Sequence, residues 1–275
     1  MFTTNHFIWM AICLVIIGLL TFLSIKFKFS LKTASFIMAG VAISSELLKI
    51  FTHMEPVANG GTGMVIEPTA LPLHICSMYI FVFLWLPFSK DSKFRRFVLN
   101  LAVPISLVGG GLSILMATSG VNFARPFAYQ CFIYHAVMVW FGAYLIYSKN
   151  CDLGVKSWIT NCIAMTCIAI VMIWVNGALS AYNTNFLYVV RPPKSGLPFL
   201  NLNSGWFVYF LRLCFIGLVA ITLVHLPTMI KQLVSKNKCK VCKNCANVGD
   251  NLPEKAEPTD EADISLDNNQ SKSKK

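Results

Sequence analysis

Long apolar runs recur along this chain and restrict the folds open to it. A run of about 18 or more apolar residues can cross a hydrocarbon core of roughly 30 Å as a helix. The runs are about Phe7–Ile25, Thr33–Ile50, Leu71–Phe88, Phe97–Ala117, Phe127–Tyr147, Trp158–Ala181 and Gly205–Ile230. Only 13% of the residues are charged, whereas soluble domains carry roughly 25%. Because lipid offers no partners for backbone polar groups, each run is expected to be helical. The sequence therefore predicts an all-α membrane protein, a bundle of seven transmembrane helices.

The distribution of lysine and arginine predicts the orientation of this bundle. Basic residues gather in the first, third and fifth connections and just after the last segment, for example at Lys26, Lys90 and Lys149. The opposite connections hold Arg125, Arg191 and Lys194. Cytoplasmic loops carry the excess of positive charge, so we expect the N-terminus outside and the C-terminus in the cytoplasm. The same bias accounts for the net charge of +11, and we expect no binding to nucleic acid.

The first apolar segment is expected to stay in the mature protein. A secretory signal has positive charge before its apolar core, whereas here the lysines follow it. The composition then changes near the other end of the chain. We predict that residues 1–234 form the helical domain and that residues 235–275 form a disordered cytoplasmic tail of mixed basic and acidic residues.

Three cysteines in this tail, Cys239, Cys242 and Cys245, have the two-residue spacing of metal ligands. A closed metal site needs a fourth ligand, and no His or Cys follows nearby. Three interpretations remain open: a partial or intermolecular metal site, reversible palmitoylation beside a basic membrane surface, or unmodified thiols. No metal or cofactor is predicted for the helical domain.

Ionisable side chains inside the apolar segments fall toward the predicted outer side. An ionisable group costs roughly 2.5–3.5 kcal/mol at a helix centre on insertion scales, so such groups must share water or one another. We therefore predict a polar cavity open to the outside. Besides Cys76 and His135, its expected residues are His74, Glu46, Asn176, Asn183, Asn185, Arg191 and Arg212. Glu46 also suits an ion pair with Lys49 at the interface, and Asn176 suits a hydrogen bond between helices.

A cysteine and a histidine on different segments suggest nucleophilic chemistry. Cys76 lies near the start of the third segment, where the positive end of the helix dipole favours a thiolate. His74 is two residues away, about 200° around a helix, and cannot face the thiol. His135, deep in the fifth segment, is the candidate base. Thiol–imidazole pairs of this kind form covalent acyl intermediates.

Three glycines in the fourth segment, Gly109 to Gly111, follow Pro104. They favour a close helix approach or a bend, and they offer a surface against which a lipid chain can lie. A phosphate-binding loop would need a preceding strand, which this apolar segment does not provide.

Three stretches of the sequence carry a family resemblance. They are Leu71-Pro72-Leu73-His74-Ile75-Cys76, Phe132-Ile133-Tyr134-His135, and Asn185-Phe186-Leu187-Tyr188 with Pro192-Pro193 and Gly205-Trp206. Together they resemble the YwaF-like family of bacterial multi-pass membrane proteins. The resemblance extends loosely over about residues 30–215. An animal relative of this family, transmembrane protein 164, is an acyltransferase that remodels ether phospholipids. The resemblance implies that Cys76 and His135 are a catalytic pair and that the partner is a phospholipid or another acyl lipid in the cell membrane.

The favoured hypothesis is thus a multi-pass membrane enzyme that transfers or hydrolyses acyl groups. A transporter or ligand-binding membrane protein is the alternative, since it would also use a polar site near the membrane midplane. Haem or metal binding through His74 and His135 is a third possibility. An absorbance scan of the purified protein distinguishes the third from the other two.

Overall fold

The computed structural model describes residues 2–56, 64–116, 120–193 and 199–249, with side chains described as far as Val234 and not for residues 55–56. Its internal contacts separate Met1–Gln232 from Leu233–Lys275. All helices except the end of the last belong to the first unit. The predicted division into a helical domain and a disordered tail stays a prediction, since residues 250–275 and the side chains of the tail cysteines lie outside the described part.

The described part of the chain is mostly helical. Its helices are α1 (Thr4–Lys26), α2 (Leu31–Thr52), α3 (Ile75–Trp85), α4 (Lys93–Pro104), α5 (Gly110–Met116), α6 (Pro126–Tyr147), α7 (Val155–Ala178) and α8 (Trp206–Gly249). A π-helical segment, Ile105–Gly109, joins α4 to α5. Two short antiparallel strands, β1 (Met54–Pro56) and β2 (Met64–Ile66), lie between α2 and α3 with Glu55 opposite Val65.

Six helices in the described residues are long and apolar enough to cross a membrane, counting Lys93–Met116 as one. The third predicted segment is shorter than expected, because its helical part covers only Ile75–Phe88. At about 1.5 Å per residue, 14 residues reach about 21 Å, less than the roughly 30 Å of a hydrocarbon core. The protein is therefore a multi-pass, all-helical membrane protein, while the count of seven spans and the orientation stay predictions.

Local sequence explains where several helices begin. The side chains of Thr3, Ser30 and Ser92 each accept a hydrogen bond from a backbone N–H in the first turn of α1, α2 and α4. Such caps satisfy N–H groups that have no partner within the helix. Helix α6 begins at Pro126, whose missing N–H is not needed there. The N-cap of α3 is His74, and its side chain makes no capping bond.

Helix α6 forms the centre of the bundle. In its most apolar window 67% of the residues are buried, against 11% in α7 and in α8. It packs against α1, α2, α4 and α5. Large side chains such as Trp140, Phe141 and Tyr144 lie in the core with Phe83 of α3 and Met38 of α2. The sparsely buried helices α7 and α8 are thus peripheral.

The fourth segment is irregular where its proline and glycines occur. Pro104 lies at the junction of α4 with the π-helical segment, and a proline inside a helix removes a backbone hydrogen bond. At Gly110 a Cβ atom would be 3.0 Å from Cγ2 of Val139 and 3.1 Å from the backbone oxygen of His135. Glycine here allows the close approach of α5 to α6 that the sequence predicts, and that approach is made at His135.

Candidate functional site

His135 is held in one orientation inside the bundle. Its ring is buried in α6, and Nδ1 lies 2.6 Å from the backbone oxygen of Cys131, one turn earlier. Because a carbonyl can only accept, Nδ1 carries the proton in the neutral ring and donates it to this oxygen. The other nitrogen, Nε2, is also buried and has no hydrogen-bond partner among the described residues. In the neutral imidazole, therefore, Nε2 is the nitrogen that can accept a proton.

Cys76 lies beside this ring, in the first turn of α3. Its thiol is half-buried and interacts with the His135 side chain, without a hydrogen bond of ordinary geometry to Nε2. The hydroxyl of Tyr134 donates to the backbone oxygen of Cys76 at 2.6 Å and so ties the start of α3 to α6. The N–H groups of the first turn of α3 receive no side-chain cap. The pair expected from the sequence is thus brought together from two helices.

A buried ion pair is bonded to Ser77, the residue that follows Cys76. Lys49 Nζ is 2.6 Å from Oε1 of Glu46 and donates to the hydroxyl of Ser77 at 3.1 Å. The exposed fractions of the Lys49 and Glu46 side chains are 10% and 14%. The Lys49 ammonium also acts electrostatically on the ring of His74, which contacts the rings of Phe186 and Tyr188. Lys49 therefore links Glu46 to Ser77, the residue after Cys76, and also acts on His74.

Four other predicted site residues are engaged in the connection between α7 and α8. Asn176 donates to the Phe186 oxygen at 3.1 Å and accepts from the Phe186 N–H at 2.8 Å. Asn185 donates to the Arg191 oxygen and accepts from two N–H groups of the same turn. The Arg191 guanidinium donates to the side-chain and backbone oxygens of Asn183. These side chains organise the connection, and Lys194 lies outside the described residues.

Tyr188 of this connection interacts electrostatically with the Cys76 thiol. Leu187 and Tyr188 have φ values of 57° and 56°, a left-handed conformation that is uncommon for such residues. Burial, followed by the nearby Cys76 and Cys131 thiols, raises the pKa of the Tyr188 phenol above its ordinary value. The phenol therefore stays neutral near pH 7 and remains a hydrogen-bond donor.

Arg212 lies elsewhere, in the second turn of α8. Its guanidinium is 3.4 Å from Oδ1 of Asn201 and 3.4 Å from the hydroxyl of Ser204. It lines a surface cavity of about 730 Å³ that Phe199 and Phe215 also line. Both hydrogen bonds are long, so donors of the guanidinium remain available to a ligand.

A second cavity, of about 260 Å³, is almost wholly apolar and is lined by Ile75, the residue before Cys76. Ile75, Leu187 and Val189 line one end of it, and residues of α7, α8 and the π-helical segment line the rest. No residue of the predicted polar set lines this second cavity, and the polar cavity open to the outside stays a prediction. Glu46, Asn176, Asn185 and Arg191 each bond to partners within the protein.

Three residues near the pair were not among the predicted site residues. Tyr134 and Tyr188 approach Cys76, and Cys131 lies against His135 with its sulfur 3.6 Å from Nδ1. The spacing of four residues between Cys131 and His135 places them on one helix face and could have indicated that contact. No sequence signal shows that Tyr188, from a distant connection, reaches the thiol.

In the described part of the chain, no group of three or more His, Cys, Asp or Glu residues is arranged to hold a metal ion. No curated protein and no solved structure matches the sequence. A sequence profile described as the TMEM164 family matches residues 1–225. This match covers the whole helical region that carries the Cys76–His135 pair, and it confirms the resemblance seen in the sequence motifs. The chain therefore belongs to the TMEM164 family.

Proposed function

We propose that this membrane protein transfers or hydrolyses the acyl groups of membrane lipids, with Cys76 as nucleophile and His135 as general base. The observation that carries this proposal is the state of His135. Its Nδ1–H is committed to the Cys131 oxygen, and its buried Nε2 is without a partner among the described residues, with the Cys76 side chain beside it. A base held in one tautomer next to a thiol is the arrangement that nucleophilic catalysis needs.

The reaction follows from these positions. Nε2 of His135 takes the thiol proton as the Cys76 sulfur attacks the ester carbonyl. The carbon–oxygen bond of the ester then breaks, and the imidazolium returns the proton to the departing alcohol. The resulting thioester on Cys76 is attacked by water or by the hydroxyl of a second lipid, whose proton passes to Nε2. The acyl group leaves, and the thiol recovers its proton.

The start of α3 supplies groups suited to the oxyanion of this reaction. Backbone N–H groups in the first turn of a helix have no partner within the helix, and His74 provides no side-chain cap. These donors lie on the same turn as the Cys76 sulfur. Fixed donors aimed at a developing oxyanion contribute strongly to acyl transfer. Asn183 and Asn185 are less suited, because Arg191 and its neighbours already engage them.

The proposed substrate is a phospholipid or another acyl lipid of the cell membrane. Its ester would reach Cys76 from the bilayer, which suits a protein whose peripheral helices α7 and α8 are mostly exposed on the bundle surface. Arg212 is the candidate to hold a head-group phosphate, since its two hydrogen bonds are long and its cavity is open at the protein surface.

Labelling of the purified protein with an activated acyl ester tests this function. We expect acylation at Cys76, and we expect His135→Gln to slow it about 100-fold, the low end of general-base effects. Mass spectrometry of the peptides identifies the labelled cysteine. Labelling at Cys76 that is unaffected by His135→Gln would remove the proposed base, and no labelling above the other cysteines would favour the transporter alternative.

Cys151 provides an internal control for the labelling. It lies between α6 and α7, where burial, and then the Asp152 carboxylate, raise the pKa of its thiol to about 11. A raised thiol pKa means that the reactive thiolate forms only as the pH rises through that value. Cys151 should therefore react slowly near pH 7, react faster toward pH 11, and respond in the same way in the His135→Gln protein.

A further inference from the structure

Hydrogen bonds hold helices α7 and α8 in place at two levels along their length, and a gap remains between these two levels. At one level Trp158 Nε1 donates to the Thr222 hydroxyl at 3.0 Å. There His225 also accepts from Asn161 at 3.1 Å and donates to the backbone oxygen of Leu153 at 3.0 Å. These hydrogen bonds hold the start of α7 against the later part of α8.

At the other level the connection between the helices supplies the partners. Trp206 Nε1 donates to the Val189 oxygen at 3.0 Å, and the Tyr209 hydroxyl donates to the Tyr188 oxygen. Asn176, near the end of α7, is bonded to the Phe186 backbone through both its amide nitrogen and its amide oxygen. The end of α7 and the start of α8 are thus both bonded to the connection that joins them.

The apolar cavity of about 260 Å³ occupies the space between these two levels. On α7 its lining residues fall between Cys162 and Ala169, and on α8 between Leu213 and Ile221. The π-helical segment closes the back of the gap through Ile105, Val108 and Gly109. We call this space the α7–α8 slot. Some of its lining, including Thr166 and Gly217, is also exposed at the helix surface, so the slot opens to the side of the bundle.

One end of the slot is lined by two separate elements that also carry residues of the candidate site. On α3, Ile75 lines the slot and the next residue is Cys76. In the connection, Leu187 lines the slot and the next residue, Tyr188, interacts with the Cys76 thiol. On both elements, therefore, a residue that lines the slot is the chain neighbour of a residue at the candidate site. The volume corresponds to about nine water-sized groups at roughly 30 Å³ each, and a methylene is close to water in size.

We propose that the α7–α8 slot is the acyl-chain subsite, which holds the hydrocarbon chain of the lipid whose ester reaches Cys76. This inference rests on the proposed function, and it adds the place of the chain. Apolar lining without a charged group suits a hydrocarbon chain, and burial of each methylene favours binding by about 0.8 kcal/mol. A chain with its carbonyl at Cys76 would run along α8 from Leu213 toward Ile221.

Gly217 allows a precise test of the slot. Gly217 lines the slot, and a Cβ atom at this position would have no neighbour within 4 Å, so Gly217→Phe adds a ring there without a backbone clash. Gly18 in α1 has the same open surroundings but does not line the slot, and Gly18→Phe is the matched control. The probe is a phosphatidylcholine that carries a photoreactive diazirine in the middle of one acyl chain. It is incorporated into nanodiscs together with the full-length protein.

We expect cross-links on α7 between Cys162 and Ala169 and on α8 between Leu213 and Ile221. Gly217→Phe should lower them about tenfold, which corresponds to losing the contacts of about two methylenes. Gly18→Phe and Cys76→Ala should leave them unchanged. Cross-links spread evenly over the exposed faces of α1, α7 and α8, or an equal effect of the two phenylalanine variants, would overturn the proposal.

A second measurement separates this inference from the proposed function. Acylation of Cys76 by palmitoyl and by butyryl esters is compared in the two variants. Gly217→Phe should lower the palmitoyl rate relative to the butyryl rate about tenfold, and Gly18→Phe should not. An unchanged ratio overturns the subsite. Slot cross-links without any acylation of Cys76 instead support a chain-binding slot and remove the proposed catalysis.

Discussion

Single residues around Cys76 are held by partners that lie on other helices. Lys49 of α2 bonds to Ser77 of α3, and Tyr134 of α6 bonds to the backbone of Cys76. The Lys49 ammonium is paired with Glu46 and largely buried. A charge removed from water needs such a partner, because an uncompensated buried charge is costly. The ion pair therefore belongs to the structure that positions the start of α3.

Replacing Lys49 with methionine should destabilise the protein more than replacing both members of the pair. Lys49→Met leaves the Glu46 carboxylate buried without its cation, and losing one partner of a buried pair costs about 3–5 kcal/mol. The double variant Glu46→Gln with Lys49→Met should recover most of that loss. Thermal unfolding in detergent measures the three proteins. Lys90→Met, at an exposed position, is the control; equal effects of Lys49→Met and Lys90→Met would contradict the structural role.

Two neighbouring elements, α5 and α6, meet closely at the candidate base. Gly110 is the point of approach, with His135 and Val139 opposite it. A side chain at Gly110 would push against the backbone oxygen of His135, which cannot rotate away as a flexible side chain could. The adjacent Gly111 has no atom within 4 Å of a Cβ at its position. The two glycines therefore differ in function although they are neighbours in the sequence.

Gly110→Ala should lower both stability and the acylation rate of Cys76. Overpacking of this kind costs about 1–3 kcal/mol, and relief of the contact would move the turn of α6 that carries His135. Gly111→Ala should instead be neutral or stabilising by about 0.5–1 kcal/mol, because alanine loses less backbone freedom in a helix. Unfolding and labelling rates of the two variants are compared directly. A harmless Gly110→Ala would mean that α6 moves freely at this contact.

At the scale of the whole molecule, the short third segment decides the topology. If Ile75–Phe88 completes a membrane span, the start of α1 and the start of α4 lie on opposite sides of the membrane. If it does not, they lie on the same side, and every connection after α3 changes side. The non-helical residues Leu71 to His74 extend this segment along the chain. The basic residues of the third connection favour the first arrangement.

Accessibility of introduced cysteines distinguishes these arrangements. With seven spans and the N-terminus outside, a membrane-impermeant maleimide added to intact cells should label Ala124→Cys and not Lys28→Cys or Lys90→Cys. Six spans would expose Lys90→Cys and protect Ala124→Cys, and the inverted orientation would expose Lys28→Cys. Labelling of permeabilised cells shows that each cysteine is reactive, and the unsubstituted chain supplies the background.

The sequence by itself determined the class of protein and the positions of its helices. Partition of an apolar run into lipid depends only on the residues of that run, so each predicted segment contains a helix in the structure. The same local reasoning placed Cys76 at the start of one helix and His135 within another. It did not predict that the third helix is short. Leu71–His74 is apolar enough to be counted in the segment, yet it forms a turn before α3.

The tertiary structure alone decided which polar groups meet. Helices that are apolar on every face carry no periodic signal of which side points inward, so their rotation and depth follow from packing against neighbours. That packing pairs Asn176 with Phe186 and Lys49 with Ser77, and it leaves Nε2 of His135 beside Cys76. It also leaves the α7–α8 slot, because two sets of hydrogen bonds hold the ends of these helices while apolar surfaces between them remain apart.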